Sequence, residues 1–97
     1  MQTVKVTVKC ELGEITDKIQ FFECPKAEDL IEFIISCCTE KWNLDPNQDL
    51  YSLRFADSNF LVKDWNSIED ATKLKLTFSS SKMVSDILGT IHKPHGQ

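Results

Sequence analysis

The stretch that decides the fold is Val4-Lys5-Val6-Thr7-Val8-Lys9-Cys10. Apolar and polar residues alternate strictly along it, and β-branched residues hold most of the apolar positions, which is typical of a strand with one buried face. The even-numbered positions are therefore expected to face a core. Lys5 and Lys9 are expected on the solvent side of the sheet.

A second strand is predicted directly after the first. Residues 11–14 contain Gly13 and favour a turn, and residues 15–22 return to an extended pattern. Alternation in this segment assigns Ile15, Ile19 and Phe21 to the buried side. The first 22 residues are thus interpreted as a β-hairpin.

One helix and three further strands follow along the chain. Between residues 26 and 42 the apolar side chains recur every three or four positions, which predicts an amphipathic helix. Residues 51–55 and 72–78 alternate like the first strand, and residues 60–62 are predicted to form a short return strand. Residues 79–97 are expected to contain a linker, a short helix over residues 82–91 and a tail.

This order of elements favours one mixed sheet covered by a single helix, because each strand has one apolar parity and only one helix precedes residue 79. The predicted fold class is α+β, a ubiquitin-like β-grasp of four to five strands in residues 1–78. In that topology the first strand is central and lies between the second and the fifth. The second strand then forms an edge of the sheet.

Composition limits the functions that fit. The chain has 97 residues, 11 basic and 15 acidic, with a net charge of −4. One domain of this size is too small for a two-part enzyme, and its acidic total argues against nucleic acid as a partner. No phosphate-binding loop or hydrolase motif occurs, so we expect a non-catalytic protein without a cofactor. The amino-terminal residues lack the apolar core of a signal peptide, which favours a cytoplasmic location.

The charge is unevenly distributed along the sequence. Residues 28–70 carry three bases and ten acids, a net −7, whereas residues 71–97 carry four bases and one acid, a net +3. Cationic side chains also occupy the outward parity of the predicted strands, namely Lys5, Lys9, Lys18, Arg54, Lys73 and Lys75. An acidic chain is therefore expected to present a basic sheet face that attracts an acidic partner.

The four cysteines have no pattern that predicts a metal or redox site. Cys37 and Cys38 are adjacent, and neither Cys10 nor Cys24 belongs to a C-x-x-C pair. All four are interpreted as reduced, small apolar residues of the core. No metal site is predicted.

Several short motifs resemble the amino-terminal domain of the ELMO (engulfment and cell motility) family. The most specific are Ala56-Asp57-Ser58-Asn59-Phe60 and the spacing of Cys38, Trp42 and Leu44. The resemblance also includes the opening Val4-Lys5-Val6 and covers about residues 4–78.

The resemblance implies a ubiquitin-like Ras-binding domain at the front of a larger adaptor. In that family such a domain binds active, GTP-bound RhoG-like small GTPases, and other regions bind the DOCK exchange factors that activate Rac at the plasma membrane. Ras-type effector domains commonly add a strand of the GTPase to a sheet edge. The site implied here is the second strand and its surroundings, with contacts from Lys5, Lys9, Lys18, Gln20 and Lys26.

Two other uses of this fold remain open at this stage. The domain could dock on the rest of its own polypeptide as an autoinhibitory module. Alternatively, a PB1-like oligomerisation domain would join a lysine of the first strand, Lys5 or Lys9, to an acidic loop of a second copy. The candidate acids for that loop are Asp57, Asp64, Glu69 and Asp70.

Overall fold

The computed structural model describes residues 2–79, which form four strands and one α-helix. The elements are β1 (Thr3–Glu11), β2 (Ile19–Pro25), α1 (Leu30–Lys41), β3 (Tyr51–Phe55) and β4 (Thr72–Phe78). Single 3₁₀ turns occur at Gln48–Leu50 and Trp65–Ser67. The predicted helix over residues 82–91 lies outside the described residues.

The strands form one mixed sheet in the order β2-β1-β4-β3. β1 pairs antiparallel with β2 and parallel with β4, and β3 pairs antiparallel with β4. This confirms the predicted α+β class, the central position of the first strand and the edge position of the second. The arrangement is compatible with a ubiquitin-like β-grasp. Residues 60–62 contribute a single bridge, Arg54 to Leu61, so the described sheet has four strands.

The core lies between the helix and one face of the sheet, called the inner face here. The even-numbered side chains of β1 from Val4 to Cys10 are 0–4% exposed. They meet a buried stripe on the helix consisting of Leu30, Ile34, Ile35 and Cys38. The alternation of residues 4–10 therefore predicted the buried face of the central strand correctly.

The helix is shorter than its periodicity predicted, because its first turn forms at Leu30 and not at residue 26. Ala27 and Asp29 make a preceding turn, in which the amide of Leu30 bonds the carbonyl of Ala27 at 2.9 Å. The other end is closed by Asn43, whose φ of 54° reverses the chain. The amide of Leu44 then reaches the Thr39 carbonyl at 2.8 Å, as in a Schellman motif.

The hairpin between β1 and β2 contains one more residue on its second arm than on its first. Leu12 pairs with Ile15, and Lys9 pairs with Ile19. Two residues separate the paired positions on β1, whereas three separate them on the second arm. Such an insertion is a β-bulge, and it moves every later side chain of that strand to the opposite face of the sheet.

This bulge makes the predicted parity of the second strand wrong. Ile19 and Phe21 were expected in the core, but they are 61% and 57% exposed. Cys24 on the other parity is completely buried. The strand also begins at Ile19 and not at Ile15, since residues 16–18 lie outside the regular strand.

The start of β4 is held against β1 by two adjacent loop residues. The Asp70 carboxylate accepts a hydrogen bond from the Lys5 amide at 2.8 Å, and the Ala71 amide donates to the Lys5 carbonyl at 2.7 Å. To make this contact Ala71 adopts a φ of 68°. A residue with a Cβ is strained in this left-handed region.

We expect Ala71→Gly to stabilise the domain. Relief of the left-handed strain at this position stabilises the folded state by about 1–2 kcal/mol. The greater entropy of glycine in the unfolded chain costs about 0.5–1 kcal/mol. The free energy of unfolding should therefore rise by about 0.5–1 kcal/mol. Urea unfolding of the wild type and the variant measures it. Ala56→Gly is the matched control: Ala56 is outside the positive-φ set, and this substitution should destabilise the domain. A loss of stability in Ala71→Gly would contradict the assignment of strain.

Candidate protein-docking edge

The free side of β2 is a main-chain surface on which another strand could be added. The Lys26 amide donates to the Gln2 carbonyl, and the Cys10 amide donates to the Lys18 carbonyl. Hydrogen-bonded pairs alternate along an antiparallel ladder, so the even-numbered residues of β2 direct their main chain to β1. The main-chain groups of Ile19, Phe21 and Glu23 therefore point away from the sheet. Within residues 2–79 no other strand pairs with this side of β2.

Two of the five predicted contact residues flank this edge. Lys18 precedes β2 and Lys26 follows it, so one cation lies at each end of the strand. Lys18 was expected on the outward face beside Lys9, but the bulge gives it the parity of the inner face. Burial raises the pKa of the Cys10 thiol, and the nearby charge of Lys18 offsets a smaller part of this rise. Lys18 is nevertheless exposed to solvent.

The other three predicted residues are divided between the two faces of the sheet. Lys5 and Lys9 are exposed on the face opposite the helix, which we call the outer face. Gln20 is half-buried and pairs with Val8, so it belongs to the inner face. The predicted set therefore surrounds the β2 edge but does not form one continuous patch.

The outer face contains an unfavourable row of like charges. Arg54 pairs with Lys75, and Lys75 pairs with Lys9, so three cations occupy adjacent strands in one cross-strand row. Neighbouring strands are only about 4.8 Å apart, and directly opposed like charges destabilise a sheet. The carboxylate of Glu11, 3.6 Å from the Lys75 ammonium, offsets part of this repulsion.

Two exposed apolar side chains border this charged row at the β2 edge. Ile19 pairs with Lys9 and so continues the row, and Phe21 pairs with Thr7 one step along. Sequence reasoning missed both as surface residues, because it carried the parity of Ile15 through the bulge. The signal that could have found them is Cys24. Because cysteine is usually buried, Cys24 would place the even-numbered residues of β2 in the core and Ile19 and Phe21 on the surface.

The inner side of the β2 edge faces a shallow groove beside the helix. Phe22, Cys37, Glu40 and Lys41 line it. Phe22 is half-buried against the core, whereas Glu40 and Lys41 are exposed. A strand added to β2 would thus have the groove on one side and the exposed pair Ile19 and Phe21 on the other.

The cysteines are inert in this environment. Burial raises the pKa of Cys24 to about 11 and that of Cys38 to about 12. Burial also raises the pKa of Cys10 and of the half-buried Cys37, which shares a side-chain hydrogen bond with Cys24. Since the thiolate is the reactive form, these thiols are poor nucleophiles and poor metal ligands at neutral pH. The predicted packing role is confirmed for Cys10, Cys24 and Cys38, which are fully buried.

Two of the acidic loop residues already have local hydrogen-bonding roles. The Asp64 carboxylate caps the turn at Trp65–Ser67 by accepting from the Asn66 amide at 2.9 Å, and Asp70 holds Lys5 as described above. In residues 2–79 no group of three or more His, Cys, Asp or Glu side chains could hold a metal ion. No helix of this described part is long and apolar enough to cross a membrane.

The two most specific motifs of the family resemblance have structural roles and lie outside β2. Asn59, with a φ of 65°, turns the chain after β3, and its carbonyl accepts a bond from the Arg54 guanidinium at 3.0 Å. Trp42 and Leu44 belong to the end of the helix and pack against the core. These motifs thus have roles in building the fold and do not themselves form the β2 edge.

Comparison with models of known protein families gave no match to this chain, and comparison with curated proteins gave none either.

The row of like charges predicts that Lys9→Gln stabilises the domain. Removing one cation from beside Lys75 should raise the free energy of unfolding by about 0.5 kcal/mol at low ionic strength. The gain should vanish in about 1 M salt, where charges are screened within about 3 Å. Denaturant unfolding at both ionic strengths measures this, with the exposed loop residue Lys63→Gln as the control that gains nothing. A gain that is independent of salt would show that charge repulsion is not its cause.

The raised thiol pKa values predict a loss of stability at alkaline pH. In the unfolded chain a thiol titrates near its ordinary value of 9.0, whereas Cys24 and Cys38 titrate at about 11 and about 12 when folded. Their contribution is therefore complete below pH 9 and is lost as the pH rises through the folded values. Thermal unfolding from pH 8 to pH 11 measures the decline, which should be shallower in Cys24→Ala. An equally steep decline in that variant would contradict the assignment to Cys24.

Proposed function

We propose that this domain is the small-GTPase-binding module of an engulfment and cell-motility adaptor. It binds a GTP-bound, RhoG-like GTPase by adding a strand of the GTPase switch region to the free edge of β2. Through other regions of the full-length protein, the complex recruits a DOCK-type Rac exchange factor to the plasma membrane and so drives actin remodelling and phagocytosis. The module itself is non-catalytic and works in the cytoplasm.

The observation that carries this proposal is the orientation of the β2 main chain. Ile19, Phe21 and Glu23 each direct an amide and a carbonyl away from the sheet, which supplies donors and acceptors along three alternate residues. Pro25 lacks an amide and ends this series at one side. An added strand would also gain contact with two exposed apolar side chains, a source of affinity that main-chain pairing alone lacks.

Charge supports the same location. Lys18 and Lys26 flank the edge, and Lys5 and Lys9 lie on the adjacent strand, so an acidic switch region would meet cations at both ends and on one side. The acid at this edge, Glu23, lies opposite Lys5 in the ladder and accepts a hydrogen bond from the Thr3 hydroxyl at 3.0 Å. The resemblance of residues 56–60 and of the helix end to the ELMO family supports the choice of a RhoG-like partner.

We expect binding to depend on the nucleotide state. Calorimetry with a RhoG-like GTPase loaded with a GTP analogue should show association, and the GDP-loaded protein should bind at least tenfold more weakly. Lys18→Glu should weaken the complex and reduce its sensitivity to salt, whereas Lys63→Glu should not, because Lys63 lies in the loop beyond β3. Absence of binding, or equal binding in the two states, would refute the proposal.

A proline substitution tests the main-chain contact directly. In Phe21→Pro an outward amide is lost while the ladder to β1 stays complete, so the domain should fold and bind about tenfold more weakly than Phe21→Ala. The Ala variant loses the ring but keeps the amide, which makes it the matched control. Gln20→Pro would instead break a hydrogen bond to Val8 and destabilise the fold, as thermal unfolding would show. Equal affinity of the Phe21→Pro and Phe21→Ala variants would exclude strand addition at this position.

A further inference from the structure

The outer face of the sheet is a second surface, distinct in direction from the β2 edge. Strand addition occurs in the plane of the sheet, whereas the side chains of the outer face project perpendicular to it. In the part of the chain that the structure describes, five cations and two acids lie on this face, a net +3: Lys5, Lys9, Arg54, Lys73 and Lys75, with Glu11 and Glu23. The two surfaces share Lys5, Lys9, Ile19 and Phe21, so the outer face is tested below in the absence of a GTPase.

The charged row on this face is a cost to the folded domain. Arg54, Lys75 and Lys9 oppose one another across three adjacent strands. Among residues 2–79, Glu11 is the one carboxylate in ion-pair contact with the row. An anionic ligand would replace this repulsion with attraction to all three cations. The arrangement is thus unfavourable alone and favourable in a complex.

The exposed apolar side chains on the same face indicate which class of anionic ligand fits it. Ile19 and Phe21 lie on the β2 side of the row and are more than half exposed. Long cationic side chains beside exposed apolar and aromatic groups are typical of surfaces that lie on an anionic bilayer, where the charges meet headgroups and the apolar groups enter the interface.

We propose that the outer face binds the surface of an anionic lipid membrane. An acidic peptide needs a groove that orders it. Within residues 2–79, the groove lined by Phe22 and Cys37 and a second one lined by Thr39 and Leu44 both lie beside the helix. The outer face offers cations and apolar groups on a sheet, which suits an extended headgroup layer. Each cation near such a layer raises the membrane partition coefficient about fivefold. A net charge of +3 therefore gives weak binding, which would reinforce a second membrane contact of the protein.

Vesicle co-sedimentation of the 97-residue chain, without any GTPase, tests this proposal. Vesicles of phosphatidylcholine containing about 30% phosphatidylserine should bind the protein, and pure phosphatidylcholine vesicles should not. Binding should weaken as salt is raised. Lys9→Gln combined with Lys73→Gln should lower the partition coefficient at least tenfold. Phe21→Ser should lower it severalfold without changing the net charge.

The control is Lys41→Gln combined with Lys63→Gln. All four lysines are exposed, so the two double variants remove the same charge from different surfaces. The control should bind within about twofold of the wild type, and thermal unfolding should show that both variants are folded. Equal losses in both double variants, equal binding to neutral vesicles, or a stronger interaction with a soluble acidic peptide or an oligonucleotide would overturn the proposal.

Discussion

The alternation of β1 controls both surfaces of the sheet. Its even-numbered side chains are removed from water under the helix, and since a strand projects successive side chains to opposite faces, burial of Val6 and Val8 fixes Lys5, Thr7 and Lys9 on the outside. β1 is also hydrogen-bonded on both sides, to β2 and to β4. A shift of its register would expose the core and bury lysines, so the position of the charged row follows from the same constraint that creates the core.

The central strand, the helix and the strand order were predictable from the sequence because each depends on a periodic pattern that burial enforces. Residues 4–10 and 72–78 alternate without interruption, and the apolar stripe of the helix is regular. The start of the helix was less predictable, since an acidic turn at residues 27–29 has the composition of a first helical turn. Residues 60–62 were assigned as a strand, although their pairing is limited to a bridge.

The candidate edge was predicted in its location but not in its chemistry. Topology alone indicated that the second strand lies at the edge and that lysines surround it. The identity of the exposed side chains depended on an extra residue between Ile15 and Ile19, and the period-two rule cannot detect an insertion whose flanking residues are all compatible with an extended chain. Polar Thr16 to Lys18 also gave no sign of which residue is unpaired.

The bulge makes the edge tolerant of a change in loop length. Two residues separate Lys9 from Leu12 on β1, whereas three separate Ile15 from Ile19 on the second arm. Loss of a single codon from residues 16–18 would make the two separations equal and leave Ile19 opposite Lys9. The later residues of β2 would then keep both their partners and their faces, because a bulge absorbs an extra residue without changing the register beyond it. Relatives of this domain could therefore differ by one residue in this loop and still present the same side chains and main-chain groups at the edge.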